Sequence, residues 1–191
     1  MFLQRPDQFA NAQVSAARLF TRRHIPSPDP SGLIAGTRVE TETGWQAVET
    51  LHPGMRVHTL DGGLRPLVRV DRASLPAGSA RVFRVPGGAF GACADLMMLA
   101  GQHLLMQTGD PRPECARALV PAAALDGIQG CAPIQSTHPV DIVTLTFADE
   151  EVIYANTGVR VVCPGDKAAD WLPRLDGDTA RVMLRTARLA A

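Results

Sequence analysis

Arg56-Val57-His58-Thr59-Leu60-Asp61-Gly62-Gly63 is the stretch whose reading decides the fold. Residues facing opposite sides alternate through it, the period of a strand with one buried face, and Asp-Gly beside such a run is a strong hairpin signal. Leu67-Val68-Arg69-Val70-Asp71-Arg72 is expected as the return strand. On the amino-terminal side, Thr37-Arg38-Val39-Glu40-Thr41 alternates in the same way. Glu42-Thr43-Gly44-Trp45 supplies a turn and Gln46-Ala47-Val48 restarts the strand. Three strands with tight turns in so short a span predict an all-β core.

The pattern continues outward on the other side. Arg81-Val82-Phe83-Arg84-Val85 alternates cleanly, and Pro86-Gly87-Gly88-Ala89 turns the chain after it. Leu96 to Leu105 is a long apolar segment interrupted by Gly101, Gln102 and His103. Leu119 to Leu125 is expected as one or two helical turns ended by Asp126-Gly127. Asp141–Phe147 and Glu151–Ala155 read as two strands, with Val159–Val162 as a last one. Ser74 to Ser79 reads as loop. Thr179–Leu189 is weakly helical, and Ala10–Arg22 fits a short amphipathic helix before a Pro-rich linker at Ile25–Gly32, where three prolines stop any helix.

Composition bounds the function. Hydrophobic residues make up 46% of the 191, enough for one sizeable core. Lys plus Arg equals Asp plus Glu at 19 each, so the net charge is zero and there is no electrostatic footprint for nucleic acid. No apolar run approaches the ~20 residues of a membrane span, and no secretory signal opens the chain. A cytoplasmic location is the default expectation, and secretion without a signal leaves no mark on a sequence. The four cysteines, Cys93, Cys115, Cys131 and Cys163, form no CxxC pair, so no zinc site is expected; they read as reduced, mostly buried side chains, with a disulfide framework as the alternative. His103, His138 and Asp141 are a weak metal-ligand set, and neither metal nor cofactor is expected.

Several pieces in order resemble the Hint module shared by Hedgehog autoprocessing domains and inteins, in the form of a small stand-alone bacterial protein. Gly32-Leu33-Ile34-Ala35-Gly36-Thr37 and Val48-Glu49-Thr50-Leu51-His52-Pro53-Gly54-Met55-Arg56-Val57 resemble its opening block. Leu99-Ala100-Gly101-Gln102-His103-Leu104-Leu105 resembles its histidine block, and Leu119-Val120-Pro121-Ala122 the step beyond. Ile142–Phe147 and Val152–Asn156 resemble its closing block. The resemblance implies a flat horseshoe of β-hairpins with pseudo-two-fold symmetry and short helices at the termini. It divides the chain into a leader and linker at 1–31, partly helical or disordered, a Hint-like domain at 32–163, and a possibly helical tail at 164–191.

It also implies a chemistry, an N-to-S or N-to-O acyl shift. A thiol or hydroxyl at the module's first position attacks the preceding carbonyl, and a histidine protonates the departing amide nitrogen. His103 matches that histidine. Gly32 stands at the nucleophile position and carries no side chain. Ala100 stands where a Thr helps hold the amide, and Thr144 is the polar residue of the closing block, or an ordinary strand residue. The terminal His-Asn pair of inteins is absent: the corresponding stretch reads Val161-Val162-Cys163. Asn156 fits a turn residue that tolerates left-handed φ.

Two functions follow. The first is a Hint-fold protein with a degenerate site that binds a protein or peptide partner and does not splice. The second is a self-cleaving domain that releases the leader with Ser31 as nucleophile and His103 as acid. Ser31 reads more simply as a linker serine, because a one-residue shift on a strand points a side chain to the other face. The residues assign no oligomeric state.

Overall fold

The computed structural model describes residues 30–109, 116–168 and 172–189, together with the backbone alone at the last three of these. The expected leader helix at Ala10–Arg22 and Cys115 lie outside the described residues. In chain order the strands are β1 (Leu33–Ile34), β2 (Arg38–Thr41), β3 (Gly44–Ala47), β4 (Arg56–Thr59), β5 (Gly63–Pro66), β6 (Arg69–Leu75) and β7 (Val82–Val85). They continue with β8 (Leu96–Leu99), β9 (His103–Gln107), β10 (Arg117–Pro121), β11 (Ala132–Ile134), β12 (Val140–Thr146), β13 (Glu151–Ala155) and β14 (Val159–Cys163). Among the described residues one α-helix, Gly177–Leu189, follows them.

The strands form two antiparallel sheets. One runs β11-β7-β8-β1-β12-β6, and the other β10-β9-β14-β13-β2-β4-β5 with β3 on β2. The all-β expectation holds, and the hairpin at Asp61-Gly62-Gly63 forms, with Arg56 to Thr59 opposite Pro66 to Gly63. Its return strand is earlier than the sequence reading placed it. Pro66 closes the pairing with β4, since it has no amide to donate. Leu67 then turns into the core, and Arg69–Leu75 crosses to the other sheet, where it pairs with β12 from Thr146 to Val140. The strand also runs through Ser74 and Leu75, which were expected as loop.

Two other elements differ. Leu119–Pro121 is strand rather than helix, paired with Leu105 to His103, and only Ala122–Leu125 turns as a 3-10 helix. The buried faces on both sides of that segment explain this: Leu119 and Val120 are each fully covered, which suits a strand inside a sheet more than an exposed helix. Val48–Thr50 is a 3-10 turn instead of the end of a strand.

The main core lies between the sheets and includes Val39, Val57, Phe83, Met98, Leu104, Leu145, Ile153 and Val161. A smaller cluster, Leu105, Leu119, Val152, Val162 and Leu172, covers the other face of the second sheet. The carboxy-terminal segment packs on that body. Leu119 and Arg174 form a parallel bridge, Arg174 pairs with Glu150, and Leu175, Ala180 and Leu184 are buried. Asp176 caps the helix by accepting from the Thr179 amide at 2.9 Å, which holds its carboxyl below the usual carboxylate range.

Candidate functional site

The opening strand β1 is only two residues long, yet it sits in the middle of its sheet. Leu33 pairs with Met98 of β8 on one side and with Val143 of β12 on the other. Such a position leaves residue 32 at the junction of three segments and buries it, while Ser31 one residue earlier is exposed. The histidine block lies directly against this junction. The Gly101 amide donates to the Pro30 carbonyl at 3.1 Å and the Leu99 amide to the Gly32 carbonyl at 3.4 Å.

The residue that closes the junction is Gln102, which is 4% exposed. Its Oε1 accepts the Gly32 amide at 3.0 Å. Its Nε2 donates to the Val162 carbonyl at 2.7 Å and to the His103 carbonyl at 3.2 Å. One buried amide side chain therefore ties the opening position, the histidine block and the closing strand together. Buried polar groups need partners, and here each supplies the other's.

Gly32 has φ +150°, a conformation side-chain-bearing residues rarely adopt. A Cβ placed on it would meet Thr144 Oγ1 at 3.5 Å and the Val143 carbonyl oxygen at 3.7 Å. Space for a side chain exists, so the obstacle to one is the backbone. Thr144, half-buried on β12, thus faces residue 32. Ala100 is fully buried, with its amide on the Arg81 carbonyl at 2.9 Å and its carbonyl taking the Ala123 amide at 3.0 Å. Its methyl group belongs to the core and offers no hydrogen bond to the junction. His103 starts β9, half-buried, opposite Pro121 of β10.

Of the residues read from sequence, the fold brings Gly32 and Thr144 together and sets the backbone of the Leu99–Gly101 turn against them. Gln102 is the residue that sequence reasoning missed. The available signal was a long polar side chain between Gly101 and His103 inside an otherwise apolar segment.

The remaining candidates lie elsewhere. Asn156 has φ +43° and is buried, as a left-handed turn residue. Its Oδ1 accepts the Arg38 amide at 2.8 Å and its Nδ2 donates to the Asp95 carbonyl at 2.9 Å, so it joins three segments. Cys163 is buried at the end of β14, and burial together with Glu150 and Glu151 pushes its thiol up, away from the reactive thiolate. Cys131 is buried as well, Cys93 is exposed, and all three are free thiols. His138 is exposed and its Nδ1 lies 3.0 Å from Thr137 Oγ1. Among the described residues no three His, Cys, Asp or Glu side chains gather as a metal site requires. No helix among them is long and apolar enough to cross a membrane.

The fold is shared with solved structures. The bacterial intein-like domain from Clostridium thermocellum superposes with a TM-score of 0.53 at 12% identity, covering 72% of this chain and 100% of that one. The gp41-1 intein superposes with a TM-score of 0.45 at 11% identity, over 72% of this chain and 100% of that one. A variant of the MchDnaB-1 intein gives 0.47 at 16% identity, over 70% and 98%. No curated protein matches significantly. The family model of the Hint domain matches residues 31–160. That match covers more than half of the chain, which belongs to the Hint domain family.

Proposed function

We propose that this protein is a Hint module that neither splices nor cleaves itself, and that works as a structural or binding protein. The observation that carries this reading is the state of residue 32. At the position where the family keeps its nucleophile there is a glycine, in a backbone conformation unfavourable to any other residue, with its amide held by Gln102. An acyl shift needs a thiol or hydroxyl at that position and a donor that protonates the departing nitrogen. Gln102 presents a carbonyl oxygen to the Ser31–Gly32 amide, and a carbonyl oxygen accepts a proton where the reaction needs one given. The buried methyl of Ala100 and the inert thiol of Cys163 support the same reading.

The alternative keeps Ser31 as nucleophile with His103 as acid. Ser31 is exposed while residue 32 is buried, which supports the plain linker reading of the serine. In the proposed reading residues 32–163 are the module, flanked by 1–31 and 164–191. The test is intact mass after prolonged incubation at neutral pH, with dithiothreitol or hydroxylamine present to trap an ester or thioester. The chain should remain full length. A fragment ending at or next to Ser31 would establish self-cleavage.

A further inference from the structure

A cleft is formed where β9 and β14 meet the 3-10 turn Ala89–Gly91, the loop around Ile128 and the carboxy-terminal helix. It measures about 450 Å³, within the range of small-molecule sites. Its walls are mainly apolar, from Phe90, Met106, Ile128, Val159 and Leu184, with Gln107, Gln129 and Arg160 among the lining residues. Among the described residues Arg160 is the one charged residue of the lining. It is half-buried on β14, and it makes no hydrogen bond or ion pair among the described residues. Its planar fork of donors is therefore available to an anion.

The backbone around the cleft is unusual in a second way. All four non-glycine residues with left-handed φ among the described residues lie in the cleft wall or in the two segments that meet there: Phe90 at +50°, Gln129 at +49°, Asn156 at +43° and Thr157 at +83°. Phe90 and Gln129 are linked, the Phe90 amide donating to Gln129 Oε1 at 3.2 Å. Behind them the chain is packed so closely that a Cβ on Gly158 would fall 2.5 Å from the Gly91 carbonyl oxygen. Costly conformations persist where surrounding packing fixes them, and they concentrate at ligand sites. Neither feature belongs to the Gly32 junction.

We propose that this cleft binds a small amphiphilic carboxylate. The apolar body lies against Phe90, Met106, Ile128 and Leu184, and the carboxylate meets the Arg160 guanidinium in a two-point, charge-assisted contact. Gln107 and Gln129, also in the lining, carry amide donors. An open cleft of this volume suits a chain of roughly eight to twelve carbons or a fused aromatic acid better than an extended peptide.

The experiment is titration calorimetry of the full chain with decanoate, octanoate and decanol below their aggregation limits. Decanoate should bind saturably at one site per chain, octanoate more weakly, and decanol at least tenfold more weakly than decanoate. Arg160→Gln should lose at least tenfold for decanoate and leave decanol unchanged, whereas Arg160→Lys should keep most of the affinity. Unchanged melting temperatures would show that each variant is folded. If one variant melts early, the wild-type contrast between decanoate and decanol still decides. No saturable decanoate binding by the wild type, equal affinity for decanol, or unchanged decanoate affinity in a folded Arg160→Gln variant would each overturn the proposal.

Discussion

The Gly32 junction and the Arg160 cleft both draw on β14, yet they treat polar groups in opposite ways. At the junction every group that chemistry would recruit is already engaged: the Gly32 amide on Gln102, the Ala100 amide on Arg81, the Val162 carbonyl on Gln102. At the cleft a half-buried cation has no partner among the described residues. The difference teaches how to separate a structural polar site from a receptive one. A satisfied network stabilises the fold and has no hydrogen-bonding capacity left for a substrate. An unsatisfied one lowers stability slightly and keeps that capacity for a ligand.

If the junction is structural, breaking it should cost far more stability than altering the cleft. Gln102→Leu leaves the Gly32 amide and the Val162 carbonyl buried without partners, so denaturant unfolding should show a loss of about 3 kcal/mol. A loss below about 1 kcal/mol would mean the junction relaxes or admits water.

Gly32→Cys tests the backbone rather than the network. Holding a side-chain-bearing residue near φ +150° should cost about 2 kcal/mol. At best the thiol so placed would give slow, thiol-dependent cleavage before residue 32, because Ala100 still supplies no donor and removing one such donor typically costs on the order of 100–1000-fold in rate. Adding Ala100→Thr supplies that donor but crowds a fully buried position. A Gly32→Cys variant as stable as the wild type would show that the conformation at 32 is no constraint.

A smaller effect comes from pH. Burial pushes the Cys131 thiol from 9.0 to about 11, and Cys163 shifts in the same direction. A folded thiol that keeps its proton to higher pH than the unfolded one contributes stability in full below the unfolded value. That contribution drains away as pH rises from 9.0 toward about 11. Stability measured across that window should therefore fall, and less steeply in Cys131→Ala. An equal slope in that variant would assign the fall to other groups. The smallest change is expected at the cleft: Arg160→Gln should alter stability by no more than about 0.5 kcal/mol in the absence of ligand.

The strands were legible because alternation and turn residues are local. Asp61-Gly62-Gly63 placed its hairpin, and Arg81–Val85 and Glu151–Ala155 announced themselves by period. Arg69–Leu75 was misplaced because its true partner, β12, lies some seventy residues further along the chain. Nothing local distinguishes a return strand from one that crosses to the other sheet. Leu119–Leu125 misled because Ala-rich sequence favours helix, while tertiary pairing with β9 overrode that preference for its first half. Gly32, Ala100 and Thr144 were singled out by block order, but their surroundings were not legible. Gln102 reaches partners 70 and 60 residues away. The Arg160 cleft was invisible for the same reason, since its lining comes from five separate stretches of chain.

Amide hydrogen exchange at Gly32 tests the closed junction most directly. The account predicts that this amide exchanges as slowly as those of Val143 and Leu145 in the adjacent core strand, and that Gln102→Leu accelerates it selectively. Exchange in the wild type as fast as at the exposed turn around Asp61 would contradict it. Residue 32 would then be an open position, and the chemistry its family performs there would have to be reconsidered for this chain.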